Sequence, residues 1–522
     1  MTIPAWLAAL QRPDAFDHPT TAFALCETHI SWVLLTGPFA YKFKKPVDFG
    51  FLDYTTLEKR KFYCAEELRL NKRLAPSLYD SVVPLQGNLE QPVVGKPGTA
   101  GFEYAVRMHQ FAAADRLDAV LERAELTMAD IDDLARRIAS YHQAAPRVAL
   151  ASPLGTAALV QQAISDNFTT ITATGRLDPA WQETFEAVAA WSAEQGSRLA
   201  DLIEERRRRG MVRELHGDMH LGNMARFKGE IVIFDGIEFS ESLRWIDCMS
   251  EIAFLFMDLT ARGAPGFAWR VLSRYLEASG DYAGLAVFWY FACYRAMVRA
   301  KIAALSDDEG ARARLGQYLH LASWFTQTRR PFLLLMHGLS GCGKSHLATQ
   351  LIAALQLLQV RSDVERKRLA GIDPLQHGAA GLYSEAMNRR TYEHLLQIAA
   401  TALQSGCSVC LDAAFLRSAD RREATALAQR LGIPWLILSL HAPREVLRTR
   451  LAARHGDPSD ADMHVLDLQL ASVEPLSALE QAHALTIETT KEEPILELAE
   501  RIRQHLGLPR NPDPGLEGRP EA

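Results

Sequence analysis

The chain has 522 residues, 48% hydrophobic and 23% charged, with a formal net charge of −6. That length exceeds what one hydrophobic core organises, so several domains are expected, and the acidic balance disfavours general affinity for nucleic acid or anionic membrane. Seven cysteines, odd in number and scattered, exclude a disulfide framework and fit a reduced, cytoplasmic setting. The N-terminus lacks a basic segment followed by a long apolar run, so no signal peptide is expected, and the most apolar stretches are too short to span a bilayer.

Residues 20–45 read as strands. "ISWVLLTG" ends in a turn and "FAYKFKK" follows at once, which predicts a hairpin. "TLEKRKFYCAEELRLNKRLAP" (56–76) reads as a helix stopped before Pro76. "FEYAVRM" (102–108) is a strand, and 115–210, rich in Ala, Leu, Glu and Arg, is mostly helical. "ELHGDMHLGNM" (214–224) forms a loop, "GEIVIFDG" (229–236) a short buried strand, and 245–325 is helical again. At "RRPFLLLMHG" (329–338) strands begin to alternate with helices, which implies a parallel α/β sheet. The expected organisation is a kinase-like N-lobe (1–110), a helical C-lobe (111–328), a P-loop domain (329–508) and a disordered Pro/Gly-rich tail (509–522).

Phosphoryl transfer requires a group to take the acceptor's proton, residues to hold magnesium, and charge to neutralise the phosphates. In "HGDMHLGN" Asp218 suits the first role and Asn223, five residues on, can reach a metal. Asp235 closes an apolar strand, where a carboxylate can join magnesium to phosphate, and Glu238 is a weaker auxiliary. His216 and His220 read as structural. This order of residues resembles the aminoglycoside phosphotransferase and choline-kinase branch of the protein-kinase-like fold. The resemblance implies a phosphate-anchoring lysine on an upstream strand, paired with a helical glutamate. Lys42 and Lys44 share one strand face, with Lys42 preferred. Of Glu66 and Glu67 the second is preferred, because Leu74 lies two turns on along its face. "YAVRMHQF" is then the adenine-contacting hinge. "TGP" departs from the kinase glycine loop.

"GLSGCGKS" (338–345) matches the P-loop motif in full, after an apolar strand and before a helix. Gly338, Leu339, Ser340, Gly341, Cys342 and Gly343 would cradle phosphates with backbone amides, Lys344 would reach the β and γ phosphates, and Ser345 would ligate magnesium. Asp363, Arg366 and Lys367 follow the second strand, and Asp412 ends another. This series resembles small P-loop kinases such as zeta toxins, gluconate kinase and the kinase module of polynucleotide kinases. The resemblance makes Asp363 the base, Asp412 the metal-side acid, and Arg450 or Arg454 a lid arginine, with Arg448 simply solvated. Cys407 and Cys410 sit in a buried strand and read as core, and "EERRRRGM" (204–211) as a solvated helix end.

Nearly the whole chain is similar to bacterial proteins labelled bifunctional aminoglycoside phosphotransferase/ATP-binding protein, through "ETHISWVLLTG", "KKPVDFGFLDYTTLEKRKFYCAEELRLN", "HGDMHLGN", "GLSGCGKS" and "RSD". The resemblance implies two fused modules using ATP and Mg2+ on hydroxyl acceptors, small molecules foremost and nucleic-acid 5′ ends less favoured. A nucleotide-dependent switch, with one module sensing and the other hydrolysing ATP, is the alternative.

Overall fold

The computed structural model describes residues 3–20, 22–50, 52–373, 376, 382–453, 459–491 and 493–509. Contacts divide the chain into two compact units. The first comprises residues up to Asp130, Tyr141–Asp166 and Gly196–Asp258; the second comprises Ile131–Ser140, Asn167–Gln195 and everything from Leu259. The first unit combines α-helices with an antiparallel sheet, and the second carries a parallel sheet that leads into the P-loop segment. Among the described residues no helix is long and apolar enough to cross a membrane.

The first unit holds a six-stranded antiparallel sheet: β1 (Ala24–Glu27), β2 (Ser31–Leu35), β3 (Phe39–Lys44), β4 (Tyr79–Gly87), β5 (Pro92–Val94) and β6 (Glu103–His109), in the order β1-β2-β3-β6-β4-β5. The predicted β2–β3 hairpin pairs Leu35 with Ala40 and Ser31 with Lys44. Strand alternation then sorts β3. Tyr41 and Phe43 enter an apolar cluster with Leu7, Leu10, Trp32 and Leu85, while Lys42 and Lys44 face the other way. The helix Leu57–Asn71, capped by the Thr56 side chain accepting from the Lys59 amide, packs against β6 and β4 through a core that includes Cys64 and Val106.

Two short ladders frame the loop at 214–224. β7 (Val212–Glu214) precedes it, and β8 (Met224–Phe227) pairs antiparallel with β9 (Glu230–Ile233) after it. Lys228 and Gly229 join β8 to β9 with φ of 50° and 81°, the left-handed pair that suits the twist of a two-residue hairpin. The predicted strand at 229–236 stops at Ile233, two residues short of Asp235. Asp235 instead adopts φ 63°, which a strand does not accommodate. A further short strand, β10 (Trp245–Asp247), pairs with β7.

The second unit is built on β11 (Leu333–His337), β12 (Leu357–Arg361), β13 (Ser408–Asp412), β14 (Trp435–His441) and β15 (Ala484–Glu488), all parallel, in the order β12-β13-β11-β14-β15. β11 and β13 are buried along their whole length, as expected where helices cover both faces of a sheet. The helix Pro265–Ser279 lies against edge strand β12 and the helix Lys344–Leu355. The tail beyond Pro509 is outside the described residues.

Candidate active sites

In the first unit the β3 alternation brings both lysines under the helix Leu57–Asn71. Lys42 Nζ donates to Glu67 Oε1 at 2.9 Å and contacts Asp235. Lys44 Nζ donates to Glu67 Oε2 at 2.8 Å and contacts Glu238, which also accepts from the Tyr54 hydroxyl. One carboxylate thus serves two ammonium groups, and Glu67 is fully buried. Burial alone would raise its pKa, but the charges and hydrogen bonds of Lys42 and Lys44 outweigh that and hold it below the usual carboxylate range. Burial likewise opposes charge on Lys42, yet Asp235 and Glu67 push its pKa well above the ordinary value. Glu66 points elsewhere, to Arg69 at 2.8 Å.

The catalytic-type loop is shaped by its partners. Gly217 has φ 85°, and a Cβ there would stand 2.7 Å from the Leu243 carbonyl oxygen, so only glycine fits. Its amide donates to Glu251 Oε1 at 2.7 Å, and the other oxygen of Glu251 meets His142 Nε2 at 2.9 Å. Burial would raise the pKa of Glu251, but these bonds and the nearby imidazoles keep it lowered. Asp218 receives Asn223 Nδ2 at 3.0 Å and lies 3.3 Å from His220 Nε2. His220 Nδ1 accepts from the Gly222 amide, so Nε2 carries the proton and faces the carboxylate. His216 Nε2 donates to the Phe234 carbonyl at 2.8 Å while its Nδ1 accepts from the Asp218 amide. The two histidines therefore shape the loop around Asp218.

The β8–β9 hairpin sets Asn223 beside the segment leading to Asp235, with the Phe234 amide donating to the Asn223 carbonyl at 2.9 Å. Asn71 Oδ1 accepts from the Gly236 amide at 2.8 Å, and the Tyr79 hydroxyl accepts from the Asp235 amide at 3.1 Å. The Asp235 side chain is 46% exposed. With Asn223 Nδ2 engaged on Asp218, the Asn223 carboxamide oxygen and the Asp235 carboxylate are hard oxygen donors. They suit a magnesium ion that keeps water and phosphate as its other ligands.

In the second unit Gly338, at φ 142°, turns the chain out of β11, and a Cβ there would stand 2.5 Å from the Leu440 carbonyl oxygen. The loop Gly338–Gly343 then opens the helix Lys344–Leu355. Lys344 Nζ donates to the Gly338 and Leu339 carbonyls, both at 2.8 Å. The Ser340 amide donates to Gln469 Oε1 at 2.8 Å. A cavity of about 830 Å³ is lined by Ser340, Lys344, Ser345, Asp363, Asp412 and Arg450, all of them expected at this site, and also by Arg366, Tyr383 and Gln469. Arg450 donates to Thr489 Oγ1 and to the Thr489 carbonyl, both at 2.8 Å, and Arg454 lies outside the described residues. Arg448 is 3.6 Å from Asp467 and half exposed. Lys367 is turned to the Gln376 carbonyl and Asp460.

Asp412 Oδ2 accepts from Gln359 Nε2 at 2.9 Å. Its other oxygen and the Ser345 hydroxyl are two hard oxygen donors in this cavity that suit a magnesium ion keeping phosphate and water as its other ligands. Arg366 is 5% exposed, and its Nη1 donates to Asn388 Oδ1 at 2.5 Å. Among the described residues its Nε has no hydrogen-bond partner. Cys407 and Cys410 are fully buried, and burial pushes the Cys407 thiol up to about 12.

Sequence reasoning did not find Tyr54, His142, Glu251, Gln359 or Gln469. Each is a single polar residue in an otherwise ordinary segment, and only its contact with residues distant in sequence gives it a role.

The P-loop geometry agrees with the match of a family model, an AAA domain, to residues 333–476. Beyond that segment, uncharacterized proteins of Mycobacterium tuberculosis and Mycobacterium bovis are each 28% identical over 457 residues, covering 84% of this chain and 88% of theirs. Among solved structures, a choline/ethanolamine kinase family protein from Mesorhizobium loti covers 62% of this chain and 94% of its own, at 10% identity and TM-score 0.35. A sugar kinase from Janibacter covers 34% of this chain and 95% of its own, at 22% identity and TM-score 0.27.

Proposed function

We propose that the chain is a fused pair of ATP-dependent phosphotransferase modules, each moving the γ-phosphoryl group of ATP to a hydroxyl acceptor. One observation carries the P-loop half of this reading. The 830 Å³ cavity joins a phosphate-binding loop and the acids Asp363 and Asp412 in one space. Asp363 takes the proton of the acceptor hydroxyl, whose oxygen then bonds to the γ-phosphorus as the bond to the β-phosphate bridging oxygen breaks and ADP leaves. Lys344 and Arg450 offset the charge on the phosphates. Ser345 and Asp412 would hold magnesium, which neutralises charge on the transferring group. In the first unit Asp218 is the matching base, oriented by Asn223 and His220. Lys42 anchors phosphate, and Asn223 with Asp235 would hold magnesium.

Arg366 narrows the acceptor of the P-loop module. Arg366 and Arg450 line the same cavity, and two guanidinium groups there favour an acceptor that carries an anionic group. The reading is therefore a small hydroxylated acid or phosphorylated alcohol, with its hydroxyl on Asp363 and its anion toward Arg366.

The test is full-length protein with labelled ATP and fractionated metabolite extract, alongside Asp218→Ala and Asp363→Ala. Each variant is expected to abolish one set of labelled products and spare the other. No labelled product from wild type, with ATP consumption unchanged in both variants, would overturn the proposal.

A further inference from the structure

The cavity's metal-side acid is tied to a segment far from the P-loop motif in sequence. Asp132 and Arg270 form a two-pronged ion pair, 2.6 Å at each contact, and Arg270 Nη1 donates to the Thr349 carbonyl at 2.8 Å. One turn on, Arg274 Nη2 donates to the Thr349 hydroxyl at 2.9 Å. That hydroxyl lies 2.9 Å from Gln359 Oε1, and Gln359 Nε2 donates to Asp412 Oδ2 at 2.9 Å and to the Ser345 carbonyl at 3.3 Å. The Gln359 amide donates to Ser273 Oγ at 3.1 Å, so the same helix also holds the strand that carries Gln359.

Each link in this chain runs in one direction only. A guanidinium only donates, so the Thr349 oxygen accepts from it and gives its single proton to Gln359. Gln359 must then present its carbonyl to Thr349 and its NH2 to Asp412. The amide flip that is ordinarily ambiguous is fixed by the arginine at the far end. Gln359 is 1% exposed and Asp412 is 4% exposed. At such burial a hydrogen-bonded chain from cation to anion is mutually polarising.

We infer that Thr349 and Gln359 are positioning residues for magnesium at the P-loop site. They clamp one oxygen of Asp412 and leave the other to the ion, with Arg270 and Arg274 of the helix Pro265–Ser279 as the anchor. Metal ligands held this way lose affinity when the outer partner is removed. The inference rests on the reading of Asp412 as the metal-side acid.

The test uses full-length protein in an Asp235→Asn background, which disables the metal site of the other unit. Calorimetry gives the affinity for a non-hydrolysable ATP analogue with magnesium and with EDTA. Thr349→Val and Gln359→Leu are expected to lower the magnesium-dependent gain in affinity by about 10-fold or more, with EDTA values unchanged. Thr349→Ser, which keeps the hydroxyl, is expected to restore the gain. Should Gln359→Leu fail to fold, the Val/Ser pair at 349, read by the same ratio, decides the question. Loss of affinity to the same extent in magnesium and in EDTA would reduce the chain to packing and overturn the inference, as would an unchanged ratio. Asp412→Asn separates the two readings. If it loses the gain while the relay variants keep it, the relay alone falls. If it too keeps the gain, Asp412 is not the metal-side acid.

Discussion

Replacing Glu67 by Gln keeps the shape of the side chain and removes the charge shared by Lys42 and Lys44. The variant leaves two ammonium groups in a site where Glu67 is fully buried and Lys44 is 1% exposed. Removing one partner of a buried ion pair costs about 3–5 kcal/mol. Lys44 keeps Glu238 and Lys42 keeps Asp235, so the lower end applies, roughly 3 kcal/mol. For a domain of this size that lowers the melting temperature by about 6–12 °C. The pH dependence has a definite sign. The folded-state pKa of Glu67 lies below its ordinary value of 4.5, so its stabilisation is present above 4.5 and lost as pH falls through the folded value. The lysine shifts run upward from 10.5, so their stabilisation is fully present at neutral pH, is lost only as pH rises beyond that value, and adds no slope between pH 3 and 8. Differential scanning calorimetry of full-length protein from pH 3 to 8 is the assay. Glu67→Gln should lower the first unit's transition at pH 7 and flatten its acid limb. Adding Lys44→Met should recover part of the loss by removing the stranded charge. A shift below about 2 °C at pH 7, well short of the cost of a stranded buried charge, would refute the reasoning. So would a double variant less stable than the two single effects combined.

Nucleotide stoichiometry by equilibrium dialysis should be two for wild type and one for either Lys344→Ala or Lys42→Met; a value of two in both variants would contradict the site assignments. Burial first, then the charges of Arg421, His441 and Lys344, depress His337 to about 4. Because the folded pKa is below the unfolded one, this stability is full above 6.5 and declines as pH falls. Going from pH 7 to 5 should cost roughly 2 kcal/mol, a loss that His337→Gln removes, read from the pH dependence of the second unit's melting. Of the seven cysteines only Cys26 is exposed, so a thiol reagent should modify one group quickly in native protein and seven after denaturation.

Much of this chemistry was legible because it is local in sequence. The P-loop places eight consecutive residues by backbone geometry alone, and strand alternation put Lys42 and Lys44 on one face before any contact was known. Asp218 and Asn223 are five residues apart in one loop. What stayed hidden was long-range. Glu251 reaches Gly217 from a helix 34 residues on, and Gln469 reaches Ser340 across 129 residues. Nothing in a lone glutamine's neighbours distinguishes it from a surface residue. β15 escaped for another reason: "ALTIE" is short and half exposed, so its pairing with β14, rather than its composition, makes it a strand. The change of pattern at 329 shows where strands begin. Which helices pack with them depends on apolar faces and ion pairs such as Arg270 with Asp132, which no local pattern displays.

Asp235 holds its left-handed backbone at φ 63° without being glycine, at a cost of roughly 1–3 kcal/mol. Glycine would relieve that strain but would also take from Lys42 one of its two carboxylate partners, so the backbone cost and the ion pair are set against each other at a single residue.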